Sequence, residues 1–385
     1  MDNTIKPFVV NVSDADIADL KQRLGLTRWP DQIPDTEWRY GAKTDYIQQL
    51  CEYWQHHYDW RKHEAAINHF AQFTTQIDDH NIHFIHVRSK HANAVPLLIS
   101  HGWPGTIVEF LKVIGPLTDP EAHGGNAEDA FHVVCPSLPG YGFSGTTQRE
   151  QVDTLAMAEM FAELMARLGY EKYIAQGGDW GAIITSNLAI VDAEHLHGIH
   201  LNMPFGYALS ENPHEGLTQP EIDDVNAMAA FESMETGYQK IQGTKPQTLG
   251  VGLNDSPAGL CAWITEKFYT WMDCDGDIES VLDKDELLTN ISVYWFTQSI
   301  CSSTRLYYEV TQNARLKFLE QPVTVPLGVA RYPKELMRFP RQWCDNVYSN
   351  IVHWQDFDRG GHFAAMERPD EFLAEIRKFR AIVCK

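Results

Sequence analysis

The sequence predicts an α/β protein built on a doubly wound, mostly parallel β-sheet. Short, continuous apolar runs recur along the chain and are separated by segments with helical periodicity. Such runs are typical of parallel strands buried on both faces. From about residue 207 to 314 the pattern changes to helices and loops rich in Trp, Tyr and Met. That change indicates an insertion into an otherwise regular order of strands and helices.

The predicted strands follow one another in the order that such a sheet requires. The first alternates apolar and polar residues, whereas the second is a continuous apolar run. Five further apolar runs follow, with helical stretches between the first four of them. The predicted strands cover residues 81–88, 95–100, 131–135, 173–176, 198–203, 325–330 and 351–355.

Four segments are predicted along the chain. Residues 1–75 form a helix-rich extension, in which Ser13 is the expected N-cap of the first helix. The core of the sheet domain is expected in two parts, residues 76–206 and 315–385, separated by a helical cap over residues 207–314. An insertion at the carboxyl ends of the strands is well placed to cover an active site.

Composition and charge exclude several classes of function. The 385-residue chain carries 31 Lys and Arg against 52 Asp and Glu, a net charge of −21, which repels phosphate backbones and anionic membranes. Its 7 cysteines are odd in number and scattered, without a C-x-x-C pair, so reduced thiols are expected and a zinc site is not. Neither a secretion signal nor an apolar run of membrane-spanning length is evident. We therefore expect a cytoplasmic protein without a membrane anchor.

The most informative motif is a glycine-rich turn between a predicted strand and a predicted helix. Its residues are Gly177, Gly178, Asp179, Trp180 and Gly181. They match the Gly-x-nucleophile-x-Gly frame of a nucleophile elbow, with Asp179 where serine is usual. A carboxylate in that position can attack carbon and become an alkyl ester, which indicates opening of a strained or activated C–O or carbon–halogen bond. Alone the pentad is weak, since a plain turn has the same composition.

A second loop supplies hydrogen-bond donors for such an elbow. After the strand 95–100 the chain reads His101, Gly102, Trp103, Pro104 and Gly105. In enzymes with this elbow, one oxyanion-hole N–H comes from a loop of this kind and another from the residue after the nucleophile. The predicted donors are the backbone amides of Trp103 and Trp180.

A base and an acid complete the set. His362 follows the last predicted strand in a Gly-Gly-His-Phe context, and the paired glycines favour an exposed loop beside the elbow. A carboxylate must orient this histidine and stabilise its positive charge. Asp356 and Asp358 are candidates close in sequence, but we prefer Glu335, which follows the preceding strand, where the triad acid belongs.

Two other patterns are interpreted as structural. Residues 140–145 match G-x-G-x-x-G, but no helix opens at the third glycine, and bends at a pocket mouth explain the run better than dinucleotide binding. His83 and His86 have a spacing suited to a metal site on a helix, whereas their segment reads as a strand. Neither a metal nor an organic cofactor is predicted.

Taken together, these motifs resemble the epoxide hydrolases of the microsomal type, a branch that includes the juvenile-hormone epoxide hydrolases, within the α/β-hydrolase fold. The resemblance extends nearly end to end. Its most specific part is the cap stretch 236–248 with residues 253–257, which a general hydrolase does not need. The other matching segments are residues 8–73, 101–105, 136–144, 177–181 and 360–363.

The resemblance implies a role for each site residue. Asp179 is the implied nucleophile, His362 the base of the second half-reaction, and Glu335 its acid partner. Two cap tyrosines hold the epoxide oxygen in that family. Tyr238 matches the first, and Tyr307 matches the second, with the adjacent Tyr308 as an alternative. The Trp-Pro peptide of the family is a cis bond, and the apolar anchor of its membrane-bound members has no counterpart here.

The implied reaction is conversion of a small apolar or aryl epoxide to a vicinal diol, with no metal or organic cofactor. A haloalkane dehalogenase is the nearest alternative, because it shares the aspartate elbow but needs donors for a halide instead of paired phenols. A non-catalytic ligand-binding protein on the same scaffold is a third hypothesis, although it has no need of a nucleophile, base and acid together. The sequence leaves a homodimer open.

Overall fold

A computed structural model describes residues 3–384, so the first two residues of the predicted extension and the last of the chain lie outside it. Nine strands form one sheet in the spatial order β1-β2-β3-β5-β4-β6-β7-β8-β9. The strands are β1 (Lys6–Phe8), β2 (Gln72–Ile77), β3 (His80–Val87), β4 (Val95–Ser100), β5 (Phe131–Pro136), β6 (Tyr173–Gly177), β7 (Leu196–Leu201), β8 (Leu327–Arg331) and β9 (Ile351–Asp356).

The sheet combines an antiparallel edge with a parallel centre. Strands β1, β2, β3 and β5 pair antiparallel, whereas the pairs from β5 through β4, β6, β7 and β8 to β9 are all parallel. Parallel strands need helical crossovers that cover both faces, so their side chains are buried on both sides. The prediction of a doubly wound, mostly parallel sheet is confirmed.

Helices connect the strands and supply the additional segments. They are α1 (Asp14–Gly25), α2 (Thr44–His56), α3 (Trp60–Ile67), α4 (Leu111–Thr118), α5 (Thr154–Arg167), α6 (Trp180–Val191), α7 (Gln219–Met234), α8 (Gly237–Gln242), α9 (Pro246–Asp255), α10 (Pro257–Trp271), α11 (Lys284–Thr297), α12 (Ile300–Asn313), α13 (Lys317–Glu320), α14 (Arg341–Cys344), α15 (Ala364–Glu367) and α16 (Pro369–Val383). Helices α7 to α12 lie in the chain between β7 and β8, where the sequence predicts the cap.

The N-terminal segment packs against helix α11. The N-cap prediction for α1 is confirmed, since Asp16 N–H donates to Ser13 Oγ over 3.1 Å. Trp54 on α2 is 1% exposed, and its indole N–H donates to Ser292 Oγ over 3.1 Å. Tyr58 Oη lies 3.0 Å from Thr289 Oγ1. These contacts bury the apolar face of α2, which an isolated amphipathic segment would leave in water.

The register of the parallel strands sets where the candidate site lies. Ser100, the last residue of β4, is paired with Gly177, the last residue of β6. The loop after β4 and the turn after β6 therefore leave the sheet side by side. In open α/β sheets, ligands bind at this carboxyl edge of the strands.

Among residues 3–384, none of the helices is both long and apolar enough to cross a membrane.

Candidate active site

The turn between β6 and α6 holds Asp179 in a backbone conformation that a non-glycine residue adopts at a cost. Its φ is 51° and its ψ is −130°. Positive φ places Cβ of an L-residue against its own backbone, so the surrounding structure must enforce the conformation. The turn projects the Asp179 carboxylate from the edge of the sheet, and the side chain remains 16% exposed.

The flanking glycines are required because the backbone passes too close for a side chain. A Cβ on Gly177 would lie 2.1 Å from the carbonyl oxygen of Gly181, and a Cβ on Gly181 would lie 2.1 Å from that of Ser100. Both obstructing atoms belong to the backbone, which cannot move without displacing β4 or α6. The elbow frame therefore reflects close packing of a strand, a turn and a helix.

Gly181→Ala is expected to lower the free energy of unfolding by at least about 2 kcal/mol, because the added methyl group overlaps backbone atoms. Urea denaturation followed by circular dichroism measures this change. Gly252→Ala on α9 is the matched control: nothing lies within 4 Å of its added Cβ, so alanine is expected to be neutral or stabilising there. Equal stability of the two variants would contradict the packing account of the elbow.

The loop after β4 places a backbone donor on the Asp179 carboxylate. Trp103 N–H donates to Asp179 Oδ1 over 2.8 Å. The Trp103–Pro104 peptide is cis, as the resemblance implies. Helix α11 fixes this loop, since Asn290 Nδ2 donates to Pro104 O and Tyr294 Oη to Gly105 O, each over 2.8 Å.

The second predicted donor and the first residues of the loop lie beside this contact. Trp180 is the first residue of α6, a position where a backbone N–H has no partner within the helix. His101 is 1% exposed and accepts at Nε2 from Leu138 N–H over 3.2 Å. A Cβ on Gly102 would lie 2.2 Å from Asp179 Oδ1, so only glycine leaves room there for the carboxylate.

Two loops at the carboxyl edge bring a histidine and a glutamate to the nucleophile. His362, after β9, has Nδ1 2.6 Å from Glu335 Oε1 and Nε2 3.3 Å from Asp179 Oδ2. The side chains of His362 and Glu335 are 2% and 1% exposed. Glu335, after β8, also accepts from the backbone N–H of Leu336 over 2.8 Å. The imidazole thus bridges two carboxylates inside the protein.

The charges around His362 decide its protonation. Burial lowers the pKa of the imidazole, but the charge of Glu335 and hydrogen bonds to Asp179 and Glu335 outweigh this effect and hold the pKa well above its usual value. With Asp179 ionised, His362 is therefore an imidazolium over the neutral pH range.

The two alternative acids lie elsewhere. Asp356 Oδ1 accepts from Arg331 Nε over 2.8 Å and lies 3.5 Å from Arg338 Nη2. Asp358 is exposed to solvent. Of the three candidate acids, Glu335 is the one that the structure places on His362.

Two buried tyrosines from the helices between β7 and β8 face the nucleophile. Tyr238 on α8 stacks on Trp103 with a centroid distance of 5.4 Å, and Tyr307 on α12 meets Trp180 edge to face at 4.7 Å. The two phenol rings lie 5.9 Å apart. Tyr307 is 5% exposed and Tyr308 is 40% exposed, so the structure brings Tyr307 to the site and leaves Tyr308 outside it.

Burial keeps both phenols protonated. It raises the pKa of Tyr238 and of Tyr307 far above the ordinary value, and the negative charge of Asp179 acts in the same direction. Gln239 Nε2 donates to Tyr238 Oη over 2.9 Å, which leaves the phenol O–H free to donate elsewhere. Neutral hydrogen-bond donors therefore face the carboxylate.

A mostly apolar cavity of about 400 Å³ opens between the elbow and these helices. Asp179, Tyr238 and Tyr307 form its reactive end. The apolar part of its wall consists of Ile183, Met203, Phe205, Phe231, Val310, Leu316, Leu336 and Met337. Its size and character suit a small, largely apolar organic molecule with one polar group.

The structure also brings to the site carboxylates whose roles the sequence pattern left unassigned. Glu367 accepts from the backbone N–H groups of Phe363 and Asp273, each over 2.9 Å, and so links the histidine loop to the end of α10. Burial raises the pKa of Glu367 to about 7. Glu109, between β4 and α4, lies near His362 and Asp179. In the sequence, Glu109 is the single carboxylate in the otherwise apolar run Ile107–Phe110, and this is the signal that marks it as a candidate site residue.

Comparison with known proteins agrees with this geometry. Residues 5–110 match the family model described as the epoxide hydrolase N terminus, and residues 95–231 match that of the alpha/beta hydrolase fold. The two matches overlap in the loop that carries Trp103 and cover the elbow with Asp179. The helix-rich extension is therefore a feature of epoxide hydrolases and the sheet domain one of a wider fold.

Individual relatives match over nearly the whole chain. Epoxide hydrolase 1 of Oryctolagus cuniculus is 38% identical over 99% of this chain and 90% of its own length. A provisionally named epoxide hydrolase of Stigmatella aurantiaca is 47% identical over 99% of this chain and 86% of its own. The crystal structure of juvenile hormone epoxide hydrolase from Bombyx mori superposes with a TM-score of 0.91 at 34% identity, covering 100% of this chain and 95% of that one. The chain belongs to the epoxide hydrolase family of the α/β-hydrolase fold.

Proposed function

We propose that the enzyme converts a small apolar or aryl epoxide to a vicinal diol through an alkyl ester on Asp179. One observation carries the proposal: the Asp179 carboxylate shares one end of an apolar cavity with two neutral phenols and is also in contact with the buried His362–Glu335 pair. Every chemical step is assigned to a side chain or a backbone amide.

We assign the cap to residues 207–314, the extension to 1–75, and the two core parts to 76–206 and 315–385.

In the first half-reaction Asp179 attacks a ring carbon. Oδ1 is held by Trp103 N–H, so Oδ2 is the oxygen proposed to form the new C–O bond. As that bond forms, the ring C–O bond breaks and charge develops on the epoxide oxygen. Tyr238 and Tyr307 donate hydrogen bonds to this oxygen, and one of them transfers its proton. Their high pKa values keep that proton available at neutral pH.

In the second half-reaction water hydrolyses the ester. Esterification removes the negative charge of Asp179, one of the two carboxylates that hold His362 protonated, so the pKa of the imidazole falls when a base is required. Neutral His362 then takes a proton from water as the water oxygen attacks Cγ of Asp179. The amides of Trp103 and Trp180 are proposed to stabilise the tetrahedral oxyanion. Collapse breaks the ester bond, and the leaving diol oxygen takes a proton from His362. The second water proton, left on the Asp179 carboxyl, passes to His362 and restores both the carboxylate and the imidazolium. The proton that His362 gave up on esterification replaces the one that the tyrosine gave to the epoxide oxygen.

Two further proposals concern the substrate and the location of the enzyme. The apolar wall of the 400 Å³ cavity favours an apolar or aryl substituent on the epoxide. A cytoplasmic location is proposed from the net charge of −21 and from the cysteines at 51, 135, 261, 274, 301, 344 and 384, all within the described residues and all free thiols. Dimerisation stays a prediction.

Halide displacement is a second candidate because of one observation. The indole N–H of Trp180, beside the nucleophile, is buried without a hydrogen-bond partner among residues 3–384. Such a donor could stabilise a departing halide. The paired phenols have no part in that reaction, so they separate the two candidates.

The double substitution Tyr238→Phe with Tyr307→Phe tests the assignment. Epoxide opening is expected to slow at least about 10³-fold, since removal of one transition-state donor typically costs 10² to 10³. Displacement of halide from a bromoalkane does not use the phenols, so any bromide release by the unaltered enzyme is expected to continue in the double variant. Single-turnover diol formation from styrene oxide and bromide release provide the two measurements.

Tyr308→Phe is the matched control, because Tyr308 is the next residue on α12 but is 40% exposed. Its epoxide turnover is expected to equal that of the unaltered enzyme. Epoxide turnover retained in the double variant would overturn the role assigned to the two phenols. Fast bromide release without epoxide turnover in the unaltered enzyme would support halide displacement and overturn the epoxide proposal.

A further inference from the structure

A second, much smaller cavity lies against the nucleophile and the histidine. It measures about 20 Å³, and both Asp179 and His362 form part of its wall. A cavity needs roughly 10–15 Å³ of such volume to hold one water. The space therefore suits a single water molecule and is far too small for the organic substrate.

The wall of this cavity carries polar atoms that the protein does not satisfy. Ser100, Gln176 and Asn202 line it at the ends of β4, β6 and β7 and are 1%, 1% and 3% exposed. Gln176 Nε2 donates to Asn202 Oδ1 over 2.5 Å. Within residues 3–384, Ser100 Oγ, Gln176 Oε1 and Asn202 Nδ2 have no hydrogen-bond partner. A buried polar group without a partner destabilises the fold, and a water that donates and accepts hydrogen bonds removes that effect.

Glu109 adds a carboxyl group to the same wall. It lies on the short turn Ile107–Phe110, and a Cβ on Gly105 would lie 1.4 Å from its Oε1, so glycine at 105 leaves room for it. Burial of the carboxyl raises the pKa of Glu109 to about 8, although His362 acts in the opposite direction. A protonated carboxyl keeps an acceptor oxygen, which can receive a hydrogen bond from a water molecule.

We propose that this cavity is the site of the hydrolytic water and that Glu109 is the positioning residue that orients it. The inference rests on the proposed function, since it concerns the second half-reaction. One water O–H points to His362 Nε2, which takes the proton, and the other donates to Glu109. The water lone pair then faces Cγ of Asp179. The new C–O bond forms as the ester carbonyl becomes a tetrahedral oxyanion, and the bond to the alkyl oxygen breaks on collapse.

The two half-reactions can be timed separately in the intact enzyme. Stopped-flow tryptophan fluorescence with styrene oxide follows formation and decay of the ester, because Trp103 and Trp180 adjoin the reacting atoms. Glu109→Ala is expected to form the ester within about twofold of the wild-type rate and to hydrolyse it at least about tenfold more slowly, a factor equivalent to one lost hydrogen bond. Glu109→Gln, a neutral side chain with a donor and an acceptor, is expected to hydrolyse it within about threefold of wild type.

Further variants keep the outcome decisive. Glu121→Ala, at an exposed site away from the cavity, is the control and is expected to leave both steps unchanged. Gln176→Leu removes an unpartnered acceptor from the cavity wall and is expected to slow hydrolysis alone, even if Glu109→Ala fails to fold. Three results would overturn the inference. In Glu109→Ala, both half-reactions could slow equally, or the ester could be hydrolysed at the wild-type rate. Alternatively, Glu109→Gln could hydrolyse the ester no faster than Glu109→Ala does. Absence of ester and diol in the wild type would instead contradict the proposed function.

Discussion

Asp179→Ala is expected to abolish epoxide turnover, lowering kcat by at least about 10⁴-fold, as loss of a covalent nucleophile does in other enzymes. His362, Glu335 and both tyrosines remain in this variant, but none of them can form the ester. The measurement is diol formation from styrene oxide, with the intact protein mass recorded during turnover. No ester adduct is expected at any time.

The same position permits a stability control. Asp179 has a φ of 51°, which glycine adopts freely and alanine does not. Both variants lose the hydrogen bond from Trp103 N–H, so Asp179→Gly is expected to be more stable than Asp179→Ala by about 1 kcal/mol while equally inactive. Substantial diol formation by either variant would exclude Asp179 as the nucleophile. Equal unfolding free energies would contradict strain at the elbow.

His362→Gln is expected to stop the reaction at the ester. Glutamine keeps a polar side chain beside Asp179 and Glu335 but cannot take a proton from water, so ester hydrolysis should slow about 10³-fold while ester formation continues. A burst of one equivalent of epoxide consumed per enzyme should precede a very slow steady state. Quenched-flow analysis with mass spectrometry of the protein measures both phases.

The adduct must lie on Asp179, which peptide mapping of the trapped His362→Gln protein checks. The double variant with Asp179→Ala serves as its control and should show no burst. If His362→Gln shows no burst, and ester formation and diol formation slow equally, the histidine acts in the first half-reaction. That result would contradict the proposed division of roles.

The sequence predicts the parallel centre of the sheet well because each of its strands is a local apolar run. The predicted strand 95–100 matches β4 in both bounds, whereas β7 begins two residues before its predicted start and β8 two residues after. Strands β1 and β2 have no counterpart among the predicted strands. β1 spans three residues with exposed or half-buried side chains, and β2 is polar, so neither has a periodicity to detect.

The residues of the candidate site also differ in how well the sequence alone predicts them. Asp179 and His362 are marked by neighbouring glycines, whose spacing reflects close backbone packing that is local in sequence. Glu335 could be preferred over Asp356 only from strand order, because the contact with His362 spans 27 residues. The groups around the small cavity come from separate strand ends and a turn. Their proximity depends on sheet register, which a single sequence does not specify.

Single-turnover hydrolysis in ¹⁸O-labelled water tests the central claim, a covalent ester on Asp179, most directly. With enzyme in excess over styrene oxide, the account predicts that the diol carries no label, because its new oxygen comes from the carboxylate. The peptide containing Asp179 should in turn gain one ¹⁸O. Labelled diol in the first turnover, with no label in that peptide, would show direct attack by water and contradict the account.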